Sequence, residues 1–370
     1  ILPIVLPLMV GSALVMVERH SLRWASRISL AATALLFVVA LLLLLRSQSA
    51  PVQAYLLGNW QAPFGIALAL DRLSATMVLL TACVGLGALI YARGGDDARG
   101  PHFHSLFQYQ LMGLNGAFLT ADLFNLFVFF EVLLIASYGL LLHGAGRARL
   151  KNAVHYVSFN LTGSALFLIA VSLLYGLTGT LNMADLAQRL AVVPADRALL
   201  AQVAALLLLV VFCVKAAMLP LYFWLPGTYG SATAPVAALF AIMTKVGVYA
   251  VLRTSTLMFG TGAGPLEHVA GPWLLVLAVA TLVLGAVGAM AARDLRTLVA
   301  YGVVVSAGTL LLGVALGTAQ SVAAALFYMI NSTLVAAGLF LLADRIAASR
   351  TGGHDQLQPA RMGAAATTLG

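Results

Sequence analysis

The chain has 370 residues, 62% hydrophobic and only 9% charged, with a mean hydropathy of +1.01. A soluble chain carries about a quarter charged residues, so this composition excludes a soluble enzyme or binding domain and points to an all-α polytopic membrane protein. The formal net charge of +8 has no basic cluster or basic helix behind it, which excludes a nucleic-acid partner and leaves membrane topology as its source.

The first apolar run starts at Ile1 and is followed by more, so it reads as a first membrane helix and not as a cleaved signal peptide. Taking about 20 apolar residues per crossing, hydropathy and breakers predict eleven spans. They cover residues 2–17, 27–45, 72–91, 105–120, 122–143, 152–177, 199–220, 235–257, 272–292, 296–316 and 321–343. The longest connectors, 46–71 and 178–198, are too short and irregular for a soluble domain, so 1–370 reads as a single membrane domain. The closing stretch AAATTLG resembles the start of a further segment. Cys83 and Cys213 lie far apart inside apolar runs without metal spacing, so no metal, no cofactor and no disulfide is expected.

With the N-terminus outside, thirteen basic residues from Arg19 to Arg361 fall on the inner face. Five fall on the outer face, namely Arg46, Arg72, Arg189, Arg197 and Arg253, which is the positive-inside bias of a multi-pass membrane protein. Two of the twenty basic residues remain: Lys215 in VVFCVKAAMLP and Lys245 in FAIMTKVGVYA. Of twelve carboxylates only Glu131, in LFNLFVFFEVLLIASYGLLL, lies deep. At ~1.5 Å per residue, Glu131 stands ~13 Å from the start of its span and Lys245 ~15 Å from Pro235. Both are near the midplane.

A charge at that depth costs about 2.5–3.5 kcal/mol on insertion scales. One reading is a buried ion pair that fixes helix packing, with Lys245 snorkelling to an interface. Small residues and hydroxyls would give the same packing specificity at lower cost. The functional reading is proton or ion transfer: a buried amine sheds its proton more easily, and a nearby carboxylate reverses that tendency. Helix breakers support it. After Lys215 comes LPLYFWLPGTYGSATAP, with Pro220, Pro226 and Pro235, and freed backbone groups survive at membrane depth only inside protein or beside a polar cavity. A broken helix beside a buried lysine is a recurring transporter design.

Secondary candidates are His155, with Ser158, Asn160 and Thr162 nearby, as a relay on span 6, and Ser306, Asn331, Ser332 and Thr333 as supports for a water wire. Interfacial hydrogen bonding and helix–helix contacts explain the same residues. His143 reads as a span end, Asp122 as a helix N-cap, and VGLGALI as packing glycines, not a nucleotide loop.

Five segments, in order, resemble the proton-conducting membrane transporter family: LFNLFVFFEVLLIASYGLLLHG, HYVSFNLTGSALFLIAVSLLYGLTGTLNMADLA, VKAAMLPLYFWLPGTYG, PVAALFAIMTKVGVYAVLR and RDLRTLVAYGVVVSAG. That family holds the antiporter-like subunits of respiratory complex I and the large subunits of Mrp-type cation/proton antiporters, with the D-type (PhaD-like) branch of the latter nearest. The resemblance implies N-terminal helices over 1–100, a first five-helix repeat over 105–257 and a partial inverted repeat over 272–370. Each repeat has a broken helix, the second of which, with its ionisable residue, is expected beyond residue 370. It further implies that Glu131 and Lys215 form a gating pair and that Lys245 passes the proton toward the second half-channel. Members often carry His or Lys in the span-11 motif, where NSTLVAAGLFLLAD has Asn331 and Ala336 instead.

The expected function is a proton-translocating subunit of a multisubunit Na⁺ or K⁺/H⁺ antiporter, a transporter and not an enzyme, working in the bilayer with other subunits of its complex. The alternative is a proton-pumping subunit of complex I or a membrane-bound hydrogenase, whose redox chemistry would sit on a neighbour. A scaffold with inert charges is the third.

Overall fold

The computed structural model describes residues 1–49, 52–350 and 354–358. Arg361 and the AAATTLG stretch lie outside the described residues. Two helices open the chain, α1 (Leu2–His20) and α2 (Leu22–Arg46), followed by an antiparallel hairpin of β1 (Gln53–Leu56) and β2 (Ala67–Leu70) in register Gln53↔Leu70. Next come α3 (Arg72–Ala92), α4 (Phe103–Leu119), α5 (Leu123–Leu142) and α6 (Arg147–Thr178). A short α7 (Met183–Ala191) precedes α8 (Ala195–Ala216), α9 (Trp224–Ser231), α10 (Ala234–Phe240) and α11 (Met243–Leu257). The last three are α12 (Gly271–Ala291), α13 (Leu295–Ala315) and α14 (Ala319–Ser349).

Among the described residues, ten stretches are long and apolar enough to cross a membrane. The eleventh expected span, α4, is a 17-residue helix, at the short limit for a crossing. Its buried Gln108, Gln110 and Asn115 face protein and not lipid. The connectors differ from expectation. Residues 46–71 hold the hairpin, and 178–198 hold α7, whose Met183, Leu186 and Leu190 are buried. The two connectors knit together at one end of the bundle: Ala121 N–H donates to Ala67 O (2.9 Å), Leu123 N–H to Leu181 O (2.9 Å) and Met183 N–H to Ala121 O (2.8 Å). Backbone groups next to a bilayer need such partners, and they lie too far apart in sequence for local patterning to show them.

The centre is the stretch Ala234–Leu257, buried along its whole most apolar window, whereas only 28% of the α2 window is buried. It packs on α3, α4, α8, α13 and α14. At one end Arg253 pairs with Asp71, the N-cap of α3, and Tyr249 Oη donates to Phe118 O (2.6 Å), joining α11 to α3 and α4. At the other end Arg149 Nε donates to Ser231 O (2.7 Å), and Asn152 Nδ2 donates to Gly227 O (2.8 Å). These bonds clamp α9 to the start of α6, and a cation at the C-terminus of α9 also suits its dipole.

Gly247 lets α11 lie backbone to backbone on α8: an added Cβ would stand 2.4 Å from Ala216 N and 2.7 Å from Lys215 C. Gly247→Ala is expected to cost about 1–3 kcal/mol through overpacking, read as a lower Tm in detergent, while Gly87→Ala, whose Cβ would meet nothing within 4 Å, leaves Tm unchanged or higher. Burial pushes the Asp71 carboxyl up, but the hydrogen bond and charge of Arg253 outweigh it and hold Asp71 below its ordinary range. The resulting stability is present above the unfolded carboxylate value, about pH 4, and is lost as pH falls through the lowered folded value. An acid titration of Tm should therefore be shallower for Asp71→Asn than for the unaltered chain.

Candidate proton-transfer site

Lys215 stands in the last turn of α8. That helix stops because Ala217 takes a left-handed conformation (φ 54, ψ 48), and the Met218 N–H turns back to Cys213 O at 2.9 Å. Side chains from other helices satisfy the groups this frees. Trp224 Nε1 donates to Val214 O (3.2 Å), and the Leu219 N–H donates to Thr281 Oγ1 of α12 (2.9 Å). Pro220 lies inside the interruption between α8 and α9. Pro226 does not break a helix: it occupies the first turn of α9, where a missing N–H leaves no bond unmade.

Lys215 is 5% exposed, and Glu131 on α5 is half-buried. A single hydroxyl lies between them. Ser164 Oγ donates to Glu131 Oε1 and lies 3.4 Å from Lys215 Nζ, which donates to it. Nζ also reaches Asn160 Oδ1 (3.4 Å) and Asn160 O (3.5 Å), and sits 5.6 Å from the Phe130 ring centroid. Asn160 and Ser164 are four residues apart, so one face of α6 presents both. Tyr156, four residues earlier, continues that face with Tyr156 Oη and Ser137 Oγ 2.8 Å apart.

A hydroxyl in this place can take a proton from the amine while passing its own to the carboxylate, and ends neutral. Proton exchange between Glu131 and Lys215 therefore needs no direct ion pair.

Lys245, on α11, is fully buried, and its Nζ donates to Ser306 Oγ of α13 at 2.8 Å. Helix α11 touches α8 at Gly247, beside Lys215, so the two lysines stand on helices at closest approach. Ser306 also lines a cleft of about 420 Å³ between α13 and α14, together with Gly302, Tyr328, Asn331 and Ser332. Asn331 thus shares a cavity with the partner of Lys245. His155 does not join: it lies on the exposed face of α6, as does Thr162, whose hydroxyl turns back to Ser158 O. His143 ends α5, donating from Nε2 to Asp96 O (2.8 Å), and Asp122 caps α5 through Asn125 N–H (2.8 Å).

Sequence reasoning misses Ser164, because Ser158, Asn160 and Thr162 stand closer to His155 in number. Its signal is the spacing of four from Asn160. Thr281 and Trp224 carry none, because what they satisfy is created by the helix break. Ser164→Ala removes the bridge but keeps the fold: any proton flux that runs between Glu131 and Lys215 is expected to fall about tenfold, equivalent to about 1.4 kcal/mol, with Tm unchanged, and Ser164→Thr to restore most of it. Fluorescent ΔpH assays in vesicles measure both.

The family model described as "NADH:quinone oxidoreductase/Mrp antiporter, TM" matches residues 120–362. The D subunit of a probable K⁺/H⁺ antiporter of Rhizobium meliloti (strain 1021) is 47% identical over 96% of this chain and 67% of its own length. The D subunit of a Na⁺/H⁺ antiporter of Bacillus subtilis (strain 168) is 39% identical over 94% of this chain and 70% of its own. Among solved structures, a chain of the Mrp complex from Dietzia sp. DQ12-45-1b superimposes with a TM-score of 0.85 at 29% identity, covering 98% of this chain and 65% of that one. A chain of respiratory complex I from Thermus thermophilus superimposes with a TM-score of 0.79 at 29% identity, covering 96% and 72%. The chain spans about two thirds of the length of the relatives it matches. A multi-pass chain with a hydroxyl-bridged acid–amine centre, a broken α8 and this breadth of likeness belongs to the NADH:quinone oxidoreductase/Mrp antiporter family, among its Mrp-type D subunits.

Proposed function

We propose that this chain is a proton-translocating subunit of a multisubunit antiporter that exchanges Na⁺ or K⁺ for H⁺ across a bacterial plasma membrane, with the N-terminus outside. The observation that carries the reading is the Ser164 hydroxyl shared by Glu131 and the buried Lys215. While the Glu131 carboxylate is charged and close, it favours the ammonium form of Lys215. When Glu131 is protonated or moves away, that ammonium loses its support and gives up its proton. Lys245 in its neutral form takes it, becomes the ammonium, and hands it on past Ser306.

The sequence from 105 to 257 is then a first half-channel, and 272 onward belongs to a second. The orientation is supported by Arg99, paired with Asp96, and by Arg149, whose Nη1 donates to His143 O beside Asp96; both lie at the end of the bundle where Glu18, near the end of α1, accepts from His104 N–H (2.6 Å), as an inner face would have it. The names of the relatives at 47% and 39% identity favour an antiporter over the redox-complex alternative. The complex I likeness reflects a shared scaffold.

The test is exchange in inverted vesicles from cells expressing the full gene cluster, with Na⁺ and K⁺ supplied separately. Glu131→Gln, Lys215→Ala and Lys245→Ala are each expected to lower the rate by about a hundredfold or more, the range seen when a positioned proton carrier is lost. Full exchange in Lys215→Ala, with the complex assembled, would sink the proposal.

A further inference from the structure

At the end of the bundle where α1 finishes, a cleft of about 570 Å³ opens away from the proton-transfer site. Helices α1 and α5 both pack on α4, and the cleft lies between them. Its deeper walls are apolar: Val15 of α1, Leu106 and Tyr109 of α4, and Gly139 and Leu142 of α5. At ~1.5 Å per residue, Tyr109 lies ~10 Å deeper than His102, and Val15 and Gly139 lie ~6 Å deeper than Arg19 and His143. Leu142 is 43% exposed, so the apolar part is open along its side.

The mouth is built differently. Arg19 and Arg99 stand at it. Arg19 is exposed and has no carboxylate within ion-pair distance among the described residues. Arg99 turns its Nε to Asp96 (3.0 Å), which leaves its two terminal nitrogens without an acceptor among the described residues. The backbone adds donors: the N–H groups of Gly100, His102 and Gly144, three residues that line the cleft, meet no protein acceptor among the described residues. The acids close by are already engaged. Asp96 holds Arg99, and Asp97 stands 3.2 Å from the buried His104 ring. Glu18 accepts from the N–H groups of His104 (2.6 Å) and Ser105 (3.3 Å) and from the Ser105 hydroxyl (3.1 Å), with the His102 ring 3.5 Å away. The mouth thus offers open donors and positive charge, which suit a phosphate group, and the depth offers hydrocarbon.

We propose that this cleft holds one anionic phospholipid, with its phosphate against Arg19, Arg99 and the loop N–H groups and the start of an acyl chain along Val15, Leu106 and Tyr109. Basic pockets between membrane helices take anionic headgroups. The apolar walls beneath select an amphiphile over a free phosphate, because a chain laid on Leu106 and Leu142 removes apolar surface from water. Bound there, the lipid joins the end of α1 to the loops that precede α4 and follow α5. The inference does not depend on the function proposed above.

The test is photolabelling of the intact complex by phosphatidylglycerol and by phosphatidylcholine, each carrying a diazirine near the head of one acyl chain, with labelled residues read by mass spectrometry. Leu106, Tyr109 and Leu142 are expected to take at least about fivefold more label from phosphatidylglycerol, the effect of one basic residue near an anionic group. Val287, 50% exposed and one turn from the end of α12, should take both lipids alike. Arg19→Ala removes an exposed side chain without an ion-pair partner, so it should lower the preference at the cleft about fivefold with Tm unchanged, while Arg19→Lys keeps most of it. Equal labelling of the cleft by the two lipids would overturn the proposal, as would an undiminished preference in Arg19→Ala. So would an unlabelled cleft beside a labelled Val287, which would show that a neighbouring subunit covers this face. Unlabelled phosphatidylglycerol should compete and inorganic phosphate should not; equal competition by phosphate would show an ion site without a lipid, and would overturn the proposal too.

Discussion

A primary amine held in apolar surroundings is the constraint on which the rest of the arrangement depends. Lys215 cannot be solvated by bulk water, so its Nζ is solvated by Asn160 and Ser164 of α6 and by the face of the Phe130 ring. Those partners must converge from helices distant in sequence, and α8 must end where it does for the amine to reach them. The interruption then creates its own demand, because carbonyls and N–H groups released at membrane depth need replacements. Trp224 and Thr281 answer it. One buried charge thereby organises α6, α8, α9 and α12.

The same helix, α6, holds two ends of the mechanism together. Arg149 and Asn152 near its start grip the short α9 that follows the break, while Asn160 and Ser164, about two to four turns later, grip the amine that precedes it. A tilt of α6 would therefore move the Ser164 bridge and the half-helix together. Glu131, only half-buried, has the freedom to follow or to part from that bridge. Lys245 is placed differently. It is fixed in the most enclosed helix of the bundle, with Ser306 as its protein acceptor, and the role proposed for it asks for no large movement.

Much of this is legible in the sequence, and the reasons differ by residue. The positions of the spans follow from the length of apolar runs, since the thickness of a bilayer imposes that length. Glu131, Lys215 and Lys245 stand out because each is a charge at a depth where charges are expensive. Subtracting the loop residues leaves these three, and the structure sets Ser164 between the first two. His155 is near the site in number and lies on the outward face, because neighbours in a helix point in different directions. Pro226 reads as a breaker and sits where a proline is harmless.

The sequence by itself determined the membrane class, the order of the spans and the three deep charges, because hydrophobic length and the cost of ionisation are properties of local composition. Only the tertiary structure decided that a hydroxyl joins the acid to the first amine, that the second amine meets Ser306, and that the end of α8 is sealed from α9 and α12. Those outcomes depend on which faces of separate helices meet. Meeting is set by packing at places such as Gly247 and Ala216, which no periodicity along one segment encodes.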